Sequence, residues 1–155
     1  MTAFYVDSSA LVKRYAPETG STWVTSLGDP VAGHSILIGE ITVVEVAAAL
    51  AAKARIAGGL TTAQRDAALG AFLNDCDDGY LLIGLDRATL DLAVDLTQRH
   101  VLRAYDAVQL ATSLLSNSDL VARALPPLTF VSSDQDLLKA ARAEGLLVDD
   151  PILHS

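Results

Sequence analysis

The chain has 155 residues, 51% of them hydrophobic, a length and composition that predict one domain over 1–155. Its formal net charge of −8 argues against a protein that coats nucleic acid. No apolar run reaches the roughly 18 residues of a membrane span, and the N-terminus lacks the basic region of a secretory signal, so we expect a cytoplasmic protein without a membrane anchor. Cys76 is the only cysteine, so the chain encodes neither an internal disulfide nor a cysteine-based zinc site.

Apolar runs and helical patterns alternate through the first third of the chain. The short apolar run at 3–6 (AFYV) is typical of a buried strand, and 8–15 suits a short helix. A second helix is expected over 18–27, before a Gly-Asp-Pro turn signal. The run at 35–38 (SILI) predicts the second strand, and apolar residues then recur with helical spacing from 43 until a Gly-Gly pair ends the helix.

The middle of the chain continues this alternation. A helix is predicted over 61–77, opened by two threonines, and a third strand over 80–85 (YLLIGL). Asp86 is placed to cap the next helix, and a further helix passes through 107–114. The stretch 116–127 is compatible with either a loop or a short helix.

The last part of the chain supplies a fourth strand at 128–131 (LTFV), a helix over 134–144 and a short edge strand at 146–148. Strands that alternate with helices predict an α/β fold, whose mainly parallel sheet of four to five strands is covered on both faces.

Two acids directly follow predicted strands. Asp7 comes after the first strand and Asp134 after the fourth. Ligands of open α/β sheets gather at the carboxyl ends of strands, but an Asp in this position also caps the helix that follows it. Around Asp134, Ser132 and Ser133 are competing caps, and Asp136 would lie in the first helical turn.

Two further acids fall in early helical turns. Glu45 stands three residues after Thr42, which matches a capping box, and Glu40 is a competing acid nearby. Asp106 enters the apolar helix "YDAVQLATSLL", where the helix dipole favours a negative charge and where Arg103 could simply pair with it.

Taken together, the four acids are predicted to meet at one rim of the sheet, because strand ends and helix starts share that rim in a parallel α/β fold. Carboxylates gathered there would repel and raise one another's pKa values. A hard cation removes that penalty, and Mg²⁺ or Mn²⁺ is the expected choice. The three histidines have no zinc-like spacing.

Four stretches carry a family resemblance: "YVDSSALVKRY", "TVVE", "RAYDAVQLATSL" and "FVSSDQDLLKAA". In this order, over nearly the whole chain, they resemble the successive motifs of PIN-domain proteins, and best the VapC-type ribonuclease toxins of bacterial toxin–antitoxin pairs. The resemblance implies a three-layer α/β/α sandwich, a divalent-metal site, endonucleolytic cleavage of RNA, a homodimer and inhibition by a cognate antitoxin.

The resemblance also implies roles for individual residues. The metal-binding and catalytic acids would be Asp7, Glu45, Asp106 and Asp134. Asp136 is close enough in sequence to replace or assist Asp134. Ser9 and Ser132 match small polar positions that support the pocket, with Ser132 where the family commonly has threonine.

The expected chemistry is hydrolysis by a metal-activated water, with one or two ions, because no His or Lys is evidently placed for metal-free cleavage of RNA. RNA binding would also require a local basic patch. Its candidates are Lys13, Arg14, Lys53, Arg55, Arg99, Arg103, Lys139 and Arg142.

Other functions are compatible with acids at strand ends. A receiver-type signalling domain binds Mg²⁺ but needs an acidic pair after its first strand and a late Lys, whereas "FVSSD" carries none. A dehalogenase-type phosphatase would read Asp-x-Asp where this chain has Asp7-Ser8-Ser9. A PIN-like protein that binds RNA or partners without turnover stays open.

Overall fold

A computed structural model describes residues 1–154, which form five strands and seven α-helices. The strands are β1 (Ala3–Val6), β2 (Ser35–Gly39), β3 (Leu81–Ile83), β4 (Thr129–Val131) and β5 (Leu147–Asp149). The helices are α1 (Ser8–Tyr15), α2 (Ser21–Leu27), α3 (Glu40–Arg55), α4 (Thr62–Asp78), α5 (Arg87–Arg99), α6 (Ala104–Ala122) and α7 (Gln135–Ala143). Short 3₁₀ turns occupy Pro30–Ala32 and Pro151–His154. Within these residues no helix combines the length and the apolar character that crossing a bilayer requires.

The five strands form one parallel sheet in the order β3-β2-β1-β4-β5. The α/β fold with a parallel sheet is therefore confirmed, and the strand bounds agree with the sequence predictions to within two residues. A receiver-type domain has the flavodoxin-like order 2-1-3-4-5, so the topology rules out that alternative.

Side chains that alternate along the strands divide the core into two layers. Tyr5 and Phe130 point to one face and pack with α5, α6 and α7, whereas Val6 and Val131 point to the other and pack with α1 to α4. The chain first runs outward from β1 to β3 and then returns across the sheet to β4 and β5. Because crossovers are right-handed, the helices of the outward connections cover one face and those of the later connections cover the other. The three-layer sandwich is confirmed.

Two helices extend beyond their predicted bounds. Helix α3 begins at Glu40 with Gly39 as its N-cap, so Thr42 lies inside the helix and the capping-box interpretation of Glu45 is wrong. Helix α6 continues to Ala122 through much of the stretch that the sequence left open. The side-chain oxygen of Asn117 accepts from the Leu128 amide at 3.0 Å, which ties the end of α6 to the start of β4.

The strand order also locates a crevice. The chain leaves β1 towards β2, but it leaves the neighbouring strand β4 towards β5, in the opposite direction. The connections therefore diverge beyond the carboxyl ends of β1 and β4, which is where open α/β sheets bind ligands. Asp7 and Ser132 directly follow these two strands.

Candidate active site

Asp7 is a buried carboxylate, only 3% exposed, at the junction of β1 and α1. Its Oδ1 caps α1 by accepting from the Ala10 amide at 3.0 Å, and its Oδ2 accepts from the Ser132 hydroxyl at 2.7 Å. The Ser9 hydroxyl donates to the same carboxylate at 2.8 Å. Burial raises the pKa of Asp7 to about 6, although these hydrogen bonds oppose the rise. Asp7 is paired with no Lys, Arg or His among the described residues.

Two serines join the ends of β1 and β4. The fully buried Ser132 hydroxyl donates to Asp7 and accepts from the Asp134 amide at 3.0 Å. The Ser9 hydroxyl likewise donates to Asp7 and accepts from the Ser133 amide at 2.9 Å. Each hydroxyl thus uses its donor on the carboxylate and its acceptor on the loop after β4, which fixes that loop relative to Asp7.

Glu45 lies one turn into α3 and is held by two polar side chains from other helices. The Ser8 hydroxyl donates to Glu45 Oε2 at 3.0 Å, and Gln109 Nε2 donates to Oε1 at 2.7 Å. Burial raises the pKa of Glu45, the two hydrogen bonds lower it, and the charge of Asp106 raises it further. The competing acid Glu40 accepts from the Leu85 amide at 3.3 Å, apart from these partners.

Gln109 is a site residue that the sequence analysis missed. It is 1% exposed on α6, and its amide donates to Glu45 and to the Thr42 hydroxyl while its carbonyl oxygen accepts from the Tyr5 hydroxyl at 2.7 Å. The available signal was an amide side chain within an apolar helical run, three residues after Asp106. A buried amide with all these partners positions the Glu45 carboxylate against the sheet.

Arg103 connects the remaining two acids. Its Nε donates to Asp106 Oδ2 at 3.0 Å, and its Nη2 lies 3.6 Å from Asp134 Oδ2. Asp134 Oδ1 meanwhile caps α7 by accepting from the Leu137 amide at 3.0 Å. Pairing with Asp106 raises the pKa of Arg103. The pairing that the sequence allowed between Arg103 and Asp106 is therefore present, and it extends to a second acid.

A cleft of about 320 Å³, called the acid cleft, is lined by Arg103, Asp106 and Asp134. Asp136 is exposed and lines the same cleft, together with Val101 and Leu102. Asp134 and Asp136 both face this space, so the choice between them as the fourth acid stays open.

Contacts through Ser132 and Arg103 join three of the four acids, and the fourth, Glu45, is held against α6 and α1; together the four acids are called the linked set. Ser132 connects Asp7 to the backbone of Asp134, Arg103 connects Asp134 to Asp106, and Gln109 and Ser8 bring Glu45 to α6 and to the start of α1. The acids of this linked set come from four separate segments of the chain, and none is bonded to nearby backbone alone.

The four acids supply oxygen ligands, but within the described residues they do not converge into a formed metal site. Within residues 1–154, no three His, Cys, Asp and Glu side chains stand in positions from which they could hold an ion together, and Arg103 bridges two of the acids. The donors are all carboxylate and hydroxyl oxygens, and Asp7 is buried without a cationic partner. Oxygen donors of this type are the ligands that Mg²⁺ and Mn²⁺ prefer, whereas zinc prefers nitrogen and sulfur ligands.

Basic side chains flank the cleft on one side. Arg99 and Lys139 line a second cleft, of about 440 Å³, together with His100, and this cleft shares Val101 and Asp136 with the first. Three of the other basic candidates pair with Glu18 or Asp75: Lys13, Arg14 and Lys53. Two are exposed, Arg55 and Arg142.

Three solved complexes contain chains with the same fold. A chain of FitAB bound to an IR36 DNA fragment matches with a TM-score of 0.64 and 15% identity, over 96% of this chain and 95% of its own. A chain of VapBC2 from Rickettsia felis, bound to a DNA fragment from their promoter, matches with a TM-score of 0.65 and 12% identity, over 96% of this chain and 98% of its own. A chain of a toxin–antitoxin complex from Klebsiella pneumoniae matches with a TM-score of 0.60 and 17% identity, over 97% of this chain and 98% of its own. The PIN-like fold is confirmed. No family model and no curated protein sequence matches the chain.

Proposed function

We propose that this protein is a Mg²⁺- or Mn²⁺-dependent endoribonuclease that acts as the toxin of a toxin–antitoxin pair. The observation that carries the proposal is the linked set of four acids at the crevice between β1 and β4. The toxin role draws on the shared fold, since chains of this fold occur in a toxin–antitoxin complex and in VapBC2.

Asp7 and Asp106 would hold the principal ion, and Glu45 and Asp134 would complete its shell directly or through water, with Asp136 able to assist. A bound ion would lower the pKa of its water and stabilise the negative charge that develops on phosphorus. Hydrolysis in line with the leaving oxygen would form one P–O bond to water and break the bond between phosphorus and the 3′ oxygen, which takes up a proton, so that a 5′-phosphate and a 3′-hydroxyl result.

The side chains around the acids would keep this arrangement rigid. Ser9 and Ser132 restrain the Asp7 carboxylate, and Ser8 and Gln109 restrain Glu45. Carboxylates that are already oriented lose little freedom when an ion and a substrate bind, which is the advantage of a pre-organised site.

Single-stranded RNA would enter the acid cleft and continue towards Arg99 and Lys139, which line the adjoining cleft. These basic side chains would offset the repulsion between RNA phosphates and a chain with a net charge of −8. Cleavage of cellular RNA implies that the protein works in the cytoplasm.

Protein partners are the second part of the proposal, namely a cognate antitoxin and a second copy of the chain. Leu90 and Val94 on α5 are 43% and 61% exposed and line a groove of about 440 Å³ with Val108 of α6. Exposed apolar surface of this kind is typical of protein interfaces. Light scattering of the purified chain would test the homodimer, and a monomer at all concentrations would contradict it.

Cleavage assays test the enzymatic proposal. The purified protein should cut RNA with Mg²⁺ or Mn²⁺ and stop when EDTA is added. Asp7→Asn should stay folded and lose most activity, because the substitution removes one carboxylate from the linked set. The matched control is Asp86→Asn, since Asp86 is also a helix N-cap after a strand but lies outside the linked set. EDTA-resistant cleavage, or full activity of Asp7→Asn, would refute the proposal.

Expression tests the toxin role. The wild-type chain should arrest bacterial growth, Asp7→Asn should not, and co-expression of the neighbouring gene's product should restore growth. A PIN-like protein that binds RNA or partners without turnover would instead bind RNA and leave it intact with every divalent cation.

A further inference from the structure

Arg103 occupies a position that helix energetics do not explain. It is the N-cap of α6, and its side chain makes no capping hydrogen bond. N-caps favour Ser, Thr, Asp and Asn, and a cation near a helix N-terminus opposes the positive end of the helix dipole. Some other interaction must therefore account for the position of this guanidinium.

The contacts of Arg103 point to the acid cleft. Its guanidinium bridges Asp106 on α6 and the α7 cap Asp134, at 3.0 Å and 3.6 Å, yet its side chain is 81% exposed. The Asp106 and Asp134 side chains are only 17% and 30% exposed, but water screens the exposed guanidinium, so these ion pairs contribute modest free energy and a divalent cation can compete for the carboxylates. The Arg103 backbone carbonyl accepts from the Ala107 amide at 3.0 Å, so the side chain stays tethered at the cleft when it lets go of the acids.

We propose that Arg103 is an exchangeable counter-ion: it holds Asp106 and Asp134 while no divalent cation is bound, yields them to that cation, and then pairs with a phosphate of the nucleic-acid strand in the same cleft. The inference rests on the proposed function. A guanidinium suits both roles, because its planar fork of donors matches carboxylate and phosphate oxygens alike.

Mn²⁺ affinity tests the exchange without requiring turnover. Isothermal titration calorimetry should show that Arg103→Ala binds Mn²⁺ roughly two- to fivefold more tightly than the wild type, the factor expected when a competing ion pair with a solvent-screened cation is removed. The matched control is Arg123→Ala. Arg123 is 69% exposed and pairs with Asp119 at 3.1 Å at the opposite end of α6. Equal or weaker binding by Arg103→Ala would overturn the exchange.

An NMR measurement distinguishes release of the carboxylates by Arg103 from a purely electrostatic effect of its charge on metal affinity. The Nε–H resonance of Arg103, hydrogen-bonded to Asp106 in the absence of metal, should move on saturation with Mg²⁺ towards the position of a solvated arginine. The Nε–H resonance of Arg123 should stay in place. An Arg103 resonance that does not respond to saturating Mg²⁺ would show that the guanidinium keeps its carboxylate partners.

The phosphate contact is measured by salt dependence. With Mg²⁺ present and cleavage-resistant phosphorothioate RNA as the ligand, removal of one phosphate contact should reduce the slope of log K against log salt by about 0.7. Arg103→Ala should show this reduction, and Arg103→Lys should not. A slope equal to that of Arg123→Ala would refute the phosphate role. If the wild type cuts no RNA, the proposed function fails, while these three titrations still decide the role of Arg103.

Discussion

The buried charge of Asp7 should make the folded protein less stable at neutral pH, so we expect Asp7→Asn to stabilise it. Burial raises the pKa of this carboxyl from 3.8 to about 6. Well below pH 3.8 the folded and unfolded chains both hold the proton. Between pH 4 and 6 the unfolded chain releases it first, so the free energy of unfolding falls as pH rises and stays low above that window.

The size of the effect follows from the same two values. A rise from 3.8 to about 6 corresponds to about 3 kcal/mol of stability lost on ionisation. Asn keeps an oxygen for the Ala10 amide but presents an amide nitrogen to Ser132, and the hydrogen bond lost there costs about 1 kcal/mol. The net gain at pH 7.5 is then about 2 kcal/mol, or roughly 4–8 °C in the melting temperature of a domain of this size.

Thermal and urea unfolding in EDTA, from pH 4 to pH 8, measure this gain. The difference between Asp7→Asn and the wild type should grow from pH 4 to pH 7 and then level off. Asp86→Asn is the control, because hydrogen bonds from Thr89 lower the pKa of the exposed Asp86, and its ionised form is the favoured one. If Asp7→Asn melts at or below the wild-type temperature, and the difference does not change with pH, the charge of Asp7 does not destabilise the folded protein.

Two further substitutions test the support around Glu45. Gln109→Leu should cost about 2–4 kcal/mol in urea unfolding and raise the pKa of Glu45, because it leaves that carboxylate and the Tyr5 hydroxyl without their buried partner; an unchanged Glu45 titration by NMR would contradict this assignment. Gly39→Ala should cost about 1–3 kcal/mol, because a Cβ there would lie 2.8 Å from the Tyr5 hydroxyl oxygen. Tyr5→Phe should recover part of that cost in a double-mutant cycle, and strictly additive effects would rule out the clash.

The sheet could be predicted because its strands are short apolar runs and its helices begin at recognisable caps. Asp86 and Thr61 cap α5 and α4 as their positions indicated. The bounds of α3 could not be predicted, because Thr42 and Glu45 reproduce a capping box by spacing alone. Tertiary contacts decide otherwise: Gln109 bonds both side chains from α6, and the helix begins earlier, after Gly39.

Within the site, the sequence indicated the acids and the two serines that orient Asp7, Ser9 and Ser132, but not the side chains that orient Glu45. The acids follow predictable elements, strand ends and first helical turns. Gln109 and Ser8 gain their importance only when α6, α3 and α1 pack together, so local spacing carries no signal for them. The sequence places Arg103 near Asp106, but the contact of Arg103 with Asp134 spans 31 residues and depends on the strand order.

The sequence posed a choice between a helix cap and a site residue for Asp7 and Asp134, and the geometry shows the cap while leaving one carboxylate oxygen of each to a contact outside its own helix. In each, Oδ1 accepts from the amide three residues on, Ala10 or Leu137, and Oδ2 faces a side chain from another segment. The cap fixes the carboxylate plane relative to the helix, and the helix is fixed to the sheet. The hydrogen bond that caps the helix therefore also fixes the direction of the second oxygen. For this reason an acid at a strand end can stabilise the fold and still offer an ordered oxygen to a ligand in the crevice.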